Sequence, residues 1–324
     1  MSKQQITAKL KQKVNLNVIR TAVITTLREI APDRATKHDR EKCFADAADR
    51  IFDILKTELF EPANTPHPTA DSFVSEDEGL EDFDRIVKQV IEDVRAGYLS
   101  SNLQMMKALG SSIAERDTGD SEHNLKVTLY AVRLAEAIDL PEERIQALIK
   151  GSFLHDIGKI SIADDILLKP AELTSQETNR MHQHVLRGAE ILKEVKWLDD
   201  AHDIVRYHHE QWDGNGYMEG LKGKKIPLNA RIFAVGDVFD AMSSKRPYKP
   251  PYSYGDSLDY VKGKRGTHFD PDLVDQFLKI SRDLYDEIAC KDKEELDRLI
   301  HETIQSHFNI DLADTRLRSK YSIL

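Results

Sequence analysis

Two cysteines in 324 residues, Cys43 and Cys290, are too few and too far apart for a disulfide framework, and they exclude a thiolate zinc cluster. Long apolar runs are missing as well. No stretch approaches the ~18 uninterrupted apolar residues of a membrane helix, and the opening MSKQQITAKLKQK has no apolar core of the secretory kind. These absences predict a cytoplasmic protein with no membrane span. Positive charge is also in deficit: 46 Lys and Arg stand against 56 Asp and Glu, a formal charge of -10. That balance disfavours long-range attraction to a nucleic-acid polymer or an anionic bilayer, while leaving room for a local basic pocket. What is there is a globular mixture, 40% apolar and 31% charged, at a length that fits two domains better than one.

Along the chain, residues 14–31 and 40–60 repeat apolar positions at three and four, the pattern of amphipathic helices. The stretch EPANTPHPTADSFVSEDEG, residues 61–79, has three prolines among acidic and small residues and reads as a linker. Beyond it, Phe83, Val87, Val90, Ile91 and Val94, then Leu99, Leu103, Met106, Gly110 and Ile113, form two short runs that change phase near Gly97. Two readings stand side by side: a connecting helix pairing with a second copy as a homodimer, or an ordinary core helix of the following domain. The expected organisation is an N-terminal helical, regulatory module over 1–80, a connecting helix over 81–118, and a domain from 119 to 324. From residue 120 onward the pattern is again helical. Thr174-Ser175-Gln176-Glu177 is a capping-box start for a helix through Leu192, and Pro141 before Glu142 and Glu143 opens another. The turn Asp213-Gly214-Asn215-Gly216-Tyr217-Met218, followed by Gly220 and Gly223, predicts an irregular loop between helices. The fold class is therefore all-α.

Seven of the twelve histidines lie between positions 123 and 209. His155 and Asp156 close an apolar helix containing Ile145, Leu148, Ile149, Phe153 and Leu154, which places an imidazole and a carboxylate beside a core. Unpaired buried charge is costly, and a metal ion is a common way to make such a pair tolerable. His208-His209 repeat the situation at the end of a helix expected over 201–209, and Asp237 is planted in the apolar run from Ala230 to Phe239. Taken singly, a core histidine is usually a hydrogen-bonded structural residue, and Asp237 alone reads as a salt-bridge partner or an internal cap. Together with His123 and His184 these residues occupy five successive helical segments, a recurrence that points to metal binding. Imidazole and carboxylate without thiolate suit iron, manganese or zinc, and residue type does not choose among them.

The motifs HDIGK at 155–159, His184 with Gly188 four residues on, HHEQWDGNGYM at 208–218 and IPLNARIFAVGDVFDAMSSKRPYK at 226–249 resemble the HD superfamily of metal-dependent phosphohydrolases, in particular its HD-GYP branch. The resemblance covers roughly residues 115–280 in intact order. It implies an HD-superfamily helical bundle holding two or three divalent ions, most readily iron or manganese. The implied activity is hydrolysis of the bacterial messenger cyclic di-GMP to linear pGpG or GMP through a metal-bridging hydroxide. The ligands it implies are His123, His155, Asp156 and Asp237 for one metal and Asp156, His184, His208 and His209 for the other, with Asp156 as the bridge. It assigns substrate phosphate to Lys159, Arg246 and Lys249, against a plain reading of the last two as a solvated basic turn. Asp240, one turn after Asp237, is expected to orient a metal ligand or Lys159. Tyr217 is expected to stack on or hydrogen-bond the substrate, with local packing as the alternative.

Two departures bear on the reading. The signature Gly-Tyr-Pro of the branch is Gly216-Tyr217-Met218 here. Three-metal members carry a glutamate four residues before the first histidine, where this chain has Gly119, so the resemblance implies two ions unless Asp117 or Asp120 substitutes; Asp120 and Ser121 are better placed to cap the helix that carries His123. The expected partners are a cyclic dinucleotide substrate and a signalling protein such as a diguanylate cyclase. The rival functions are an HD phosphohydrolase acting on another nucleotide such as cyclic GMP-AMP, and a catalytically silent module that binds cyclic di-GMP and signals.

Overall fold

The structure, a computed structural model, describes residues 99–117, 120, 122–193, 195–244 and 250–310. The helices expected at 14–31 and 40–60, the linker, the apolar run 83–94, Gly119, Arg246 and Lys249 lie outside the described residues. Residues Ser100–Ala313 form one compact unit.

Helix α1 spans residues 99–117. It is followed by α2 (His123–Glu136), α3 (Glu142–Leu154), a 3-10 turn Ile157–Ser161, α4 (Asp164–Leu167), α5 (Ser175–His182) and α6 (His184–Leu192). A second 3-10 turn, Lys196–Ala201, leads into α7 (His202–Tyr207), a third is Gly223–Lys225, and α8 (Leu228–Ser243), α9 (Tyr254–Gly263), α10 (Pro271–Ile288) and α11 (Lys293–Phe308) complete the order. Among the described residues the only extended pairing is an isolated bridge between Arg265 and Phe269, so the all-α expectation holds.

The core is built around α2. Leu125, Val127, Leu129, Tyr130, Val132 and Leu134 are each at most 1% exposed, so α2 is buried over most of its circumference, with Lys126, Arg133 and Glu136 on its ion-paired polar side. Helix α8 packs on it at Gly236, where a Cβ would stand 3.1 Å from Tyr130 Cβ. Helix α1 packs on the end of α3: a Cβ on Gly110 would fall 2.2 Å from the Phe153 carbonyl oxygen. Leu103, Met106 and Ile113 are buried on the same side of α1, whereas Met105 and Leu109 are exposed. In α10, Leu273, Val274, Phe277, Leu284 and Ile288 are buried at helical spacing, and Asp270 caps the helix by accepting the Asp272 amide at 2.9 Å ahead of Pro271.

Local signals and tertiary demands part company in two places. Thr174 does form the capping box, its hydroxyl accepting the Glu177 amide while the Glu177 carboxylate accepts the Thr174 amide. The helix expected through Leu192, however, breaks at Gln183, because the His184 ring donates from Nδ1 to the Met181 carbonyl (2.8 Å) and competes there with the helix's own amide. Likewise the helix expected over 201–209 is the shorter α7, with His208 capping it and His209 beyond it.

Candidate metal centre

Each histidine of interest sits at or just beyond a helix end, and those ends converge. His123 opens α2, His155-Asp156 follow α3, His184 opens α6 and His208-His209 follow α7, while Asp237 comes from the middle of α8. Their potential ligand atoms fall into two groups, His123, His155 and Asp237 in one and Asp156, His184, His208 and His209 in the other, with all atoms of a group within 4.8 Å of one another. Asp156 stands between them. Its Oδ2 is 3.1 Å from His155 Nε2, and its Oδ1 is 3.2 Å from His184 Nε2 and 3.9 Å from His208 Nε2. In the first group, His123 Nε2 lies 3.4 Å from Asp237 Oδ1.

The backbone determines which ring nitrogen carries the proton. His155, His184 and His208 each place Nδ1 against a main-chain carbonyl, of Ser152, Met181 and Ile204 respectively, at 2.8 to 3.0 Å. A carbonyl only accepts, so Nδ1 is the donor and Nε2 presents a lone pair inward. His184 Nε2 and His208 Nε2 then face each other at 3.5 Å, and Asp156 Oδ1 is buried with no hydrogen-bond donor of its own. Lone pairs aimed at lone pairs in a buried site repel unless a cation lies among them, so this donor set fits divalent metal. Burial, followed by the neighbouring imidazoles, holds His208 and His209 well below the usual histidine pKa, in the neutral form that ligates. In His155 burial acts the same way but Asp156 outweighs it and raises the pKa. Burial also opposes ionisation of Asp156, yet Lys159 and then His155 hold its carboxyl well below the usual range.

The sequence profile of the HD domain matches residues 98–273, a span that takes in every one of these side chains. The chain belongs to the HD domain family. It is 40% identical over 178 residues to the "Cyclic di-GMP phosphodiesterase response regulator RpfG" of Xanthomonas campestris pv. campestris (strain 8004), covering 54% of this chain and 47% of that one. Over 178 residues it is 38% identical to the "3'3'-cGAMP-specific phosphodiesterase 2" of Vibrio cholerae serotype O1, covering 54% and 34%. Over 212 residues it is 34% identical to a "Cyclic di-GMP phosphodiesterase" of Thermotoga maritima, covering 65% and 57%. The chain thus spans between a third and about three fifths of the length of these relatives. No helix among its described residues is long and apolar enough to cross a membrane.

Further side chains surround these candidate ligands. Asp240, fully buried, accepts from His123 Nδ1 at 2.7 Å and from the Ser244 hydroxyl at 2.6 Å, so it orients His123 rather than Lys159. Lys159 lies in the 3-10 turn that follows α3, and its Nζ is 2.7 Å from Asp156 Oδ2 and 2.6 Å from Asp117 Oδ2. Asp120 Oδ1 accepts the amides of Glu122 and His123, at the start of α2. Tyr217 has one face on His182, with centroids 3.6 Å apart and planes 7° apart, and its other face towards His209 at 4.7 Å. Both faces of the ring are covered, which leaves its hydroxyl, and not a stacking surface, for any ligand.

Sequence reasoning passed over Glu210 and His182. Glu210 is 2% exposed and spends its carboxylate on three loop amides, those of Glu219, Gly220 and Leu221, at 2.8 to 3.1 Å. It anchors the glycine loop that carries Tyr217. A carboxylate next to His-His offers no sign in sequence that it faces backbone rather than metal. The loop closes tightly over its own start: a Cβ on Gly216 would sit 2.4 Å from the Gln211 amide nitrogen.

Proposed function

We propose that the chain is a metal-dependent phosphodiesterase acting on a cyclic dinucleotide, with cyclic di-GMP as substrate and linear pGpG or GMP as product. The observation that carries this is the single carboxylate, Asp156, turned with one oxygen to each of two groups of inward-facing ligands. His123, His155, Asp156 and Asp237 would hold one ion, and Asp156, His184, His208 and His209 the other. Iron or manganese suits this nitrogen and carboxylate set. Two divalent ions there would activate water and offset charge on the phosphate. The residues of the chain supply the rest: Asp240 fixes the His123 tautomer, Lys159 places an ammonium beside Asp156, and the Tyr217 hydroxyl faces the site from the loop anchored by Glu210. Arg246 and Lys249 complete the phosphate contacts in this reading. Two ions rather than three belong to this reading, supported by Gly119 standing where three-metal members carry a glutamate and by Asp120 accepting the amides of Glu122 and His123.

Residues 1–80 regulate and 81–118 connect in this reading, since every ligand lies beyond them. A complete ligand set favours turnover over silent binding. The second reading, cyclic GMP-AMP as substrate, is favoured by the relative whose name carries that specificity. The test is to strip the protein with chelator, reload it with Fe(II) or Mn(II), and follow products from both cyclic dinucleotides by chromatography. Release of pGpG or GMP from cyclic di-GMP only with metal is the expected result. Exclusive turnover of cyclic GMP-AMP selects the second reading, and metal-loaded protein that turns over neither overturns both.

A further inference from the structure

We propose that Asp117 is a positioning residue for Lys159: the end of α1 holds the lysine ammonium at the point where it meets substrate phosphate. The inference rests on the phosphodiesterase reading and adds to it a residue with no ligand role. Two consecutive residues of α1 seize the same turn. Arg116 donates to the carbonyls of Lys159 (3.0 Å) and Ile162 (2.9 Å) and pairs with Asp164 (2.6 Å), which fixes the backbone. Asp117 takes the side chain, its Oδ2 lying 2.6 Å from Lys159 Nζ.

An ammonium has three N–H donors. Asp117 and Asp156 engage two, which leaves one for a further acceptor, and with two anchors already set the direction of the third is fixed. The Lys159 side chain is 15% exposed, so it is screened on most sides yet open on one. A lysine stem has four rotatable bonds and pays considerable entropy to hold its amine in one place. The two carboxylates pay that cost before substrate arrives. Asp156 alone cannot aim the amine, because it lies on the metal side of it; Asp117, 42 residues away in sequence and on another helix, supplies the second direction.

The experiment uses the full chain and compares wild type, Asp117→Asn and Asp117→Glu after metal loading. Steady-state hydrolysis gives kcat and KM separately, and mass spectrometry gives the labelling rate of Lys159 by an amine-reactive reagent, with Lys169, which pairs with Glu177, as internal control. The Asn variant is expected to keep its metal content and thermal midpoint, raise KM about tenfold, the scale of one misdirected hydrogen bond to a charged group, and label Lys159 several-fold faster; Glu recovers part of both. Unchanged Lys159 labelling overturns the inference, as does faster labelling with kcat and KM both unchanged, or a Glu variant no better than Asn. A wild type inert towards both cyclic dinucleotides defeats the proposed function. Labelling with and without inorganic phosphate then decides: protection of Lys159 in wild type and its loss in Asp117→Asn upholds the positioning role, and no protection overturns it.

Discussion

A carboxylate placed among imidazoles whose ring protons are committed to main-chain carbonyls has no proton to share with them. Asp156 is in that position towards His184 and His208, and so depends on Lys159 and on whatever cation the lone pairs enclose. Replacing Asp156 by Ala should therefore empty both groups of metal and lower hydrolysis by about three orders of magnitude or more, the scale of removing a group for which the chemistry has no substitute. Metal analysis and the product assay check this together, and near-normal activity would refute the shared-carboxylate arrangement. Asp240 acts one step removed. Asp240→Asn keeps the volume of a buried side chain but weakens the acceptor for His123 Nδ1, so metal affinity should fall about 10- to 100-fold. The two variants separate on titration: excess metal restores Asp240→Asn and leaves Asp156→Ala inactive.

The elements meet at the site because two backbones touch. A Cβ on Gly158 would lie 1.9 Å from the His184 carbonyl oxygen and 2.5 Å from the Gly188 amide nitrogen, and one on Gly188 would lie 2.7 Å from Val205. The 3-10 turn thus rests directly on α6, which brings Asp156 and His184 to ligand distance; a larger residue at either glycine separates them. Gly158→Ala should cost roughly 1–3 kcal/mol, the usual range for overpacking a filled contact, which for a domain of this size is several degrees in Tm. It should weaken metal binding at the same time, because the strain falls between two ligands. Gly263, at the end of α9, has nothing within 4 Å of its Cβ position, and Gly263→Ala should leave Tm unchanged or slightly raised. Calorimetry of the two variants with and without metal tests the contact; an equal response from both would remove Gly158 from the account.

At the scale of the molecule, what the sequence makes legible is local. The capping box at Thr174 spans four residues, the helix end that presents His155 follows from apolar spacing, and the histidines are conspicuous because they interrupt it. Pairings that join distant segments leave no such trace: Lys159 with Asp117 across 42 positions, His123 with Asp240 across 117, and His307 with Glu136 across 171. No periodicity links their members, and only packing brings them together. The last of these ties α11 to α2 and α3, at whose ends the candidate ligands His123 and His155 sit. His307 Nε2 is 3.0 Å from Glu136 of α2, its Nδ1 is 2.7 Å from Glu142 of α3, and Arg133 pairs with Glu136 at 3.1 Å. Hydrogen bonding to Glu136 raises the His307 pKa, burial opposes the rise, and Glu142 adds to it. Burial opposes ionisation of Glu136, but the bond from His307 and then the charge of Arg133 lower its pKa. The signs follow. A histidine raised in the folded state stabilises below its unfolded value of about 6.5, and that contribution fades as pH climbs through the higher folded value. A lowered glutamate stabilises above its unfolded value of about 4.3 and loses this as pH falls through the folded one. The tie is therefore strongest between about pH 4.5 and 6.5. Scanning Tm of wild type and His307→Gln across pH 4 to 9 should give a difference that peaks near pH 5.5 and shrinks above pH 8, the metal ligands being common to both proteins. A difference that stays constant across the range would mean that His307 contributes packing and no charge.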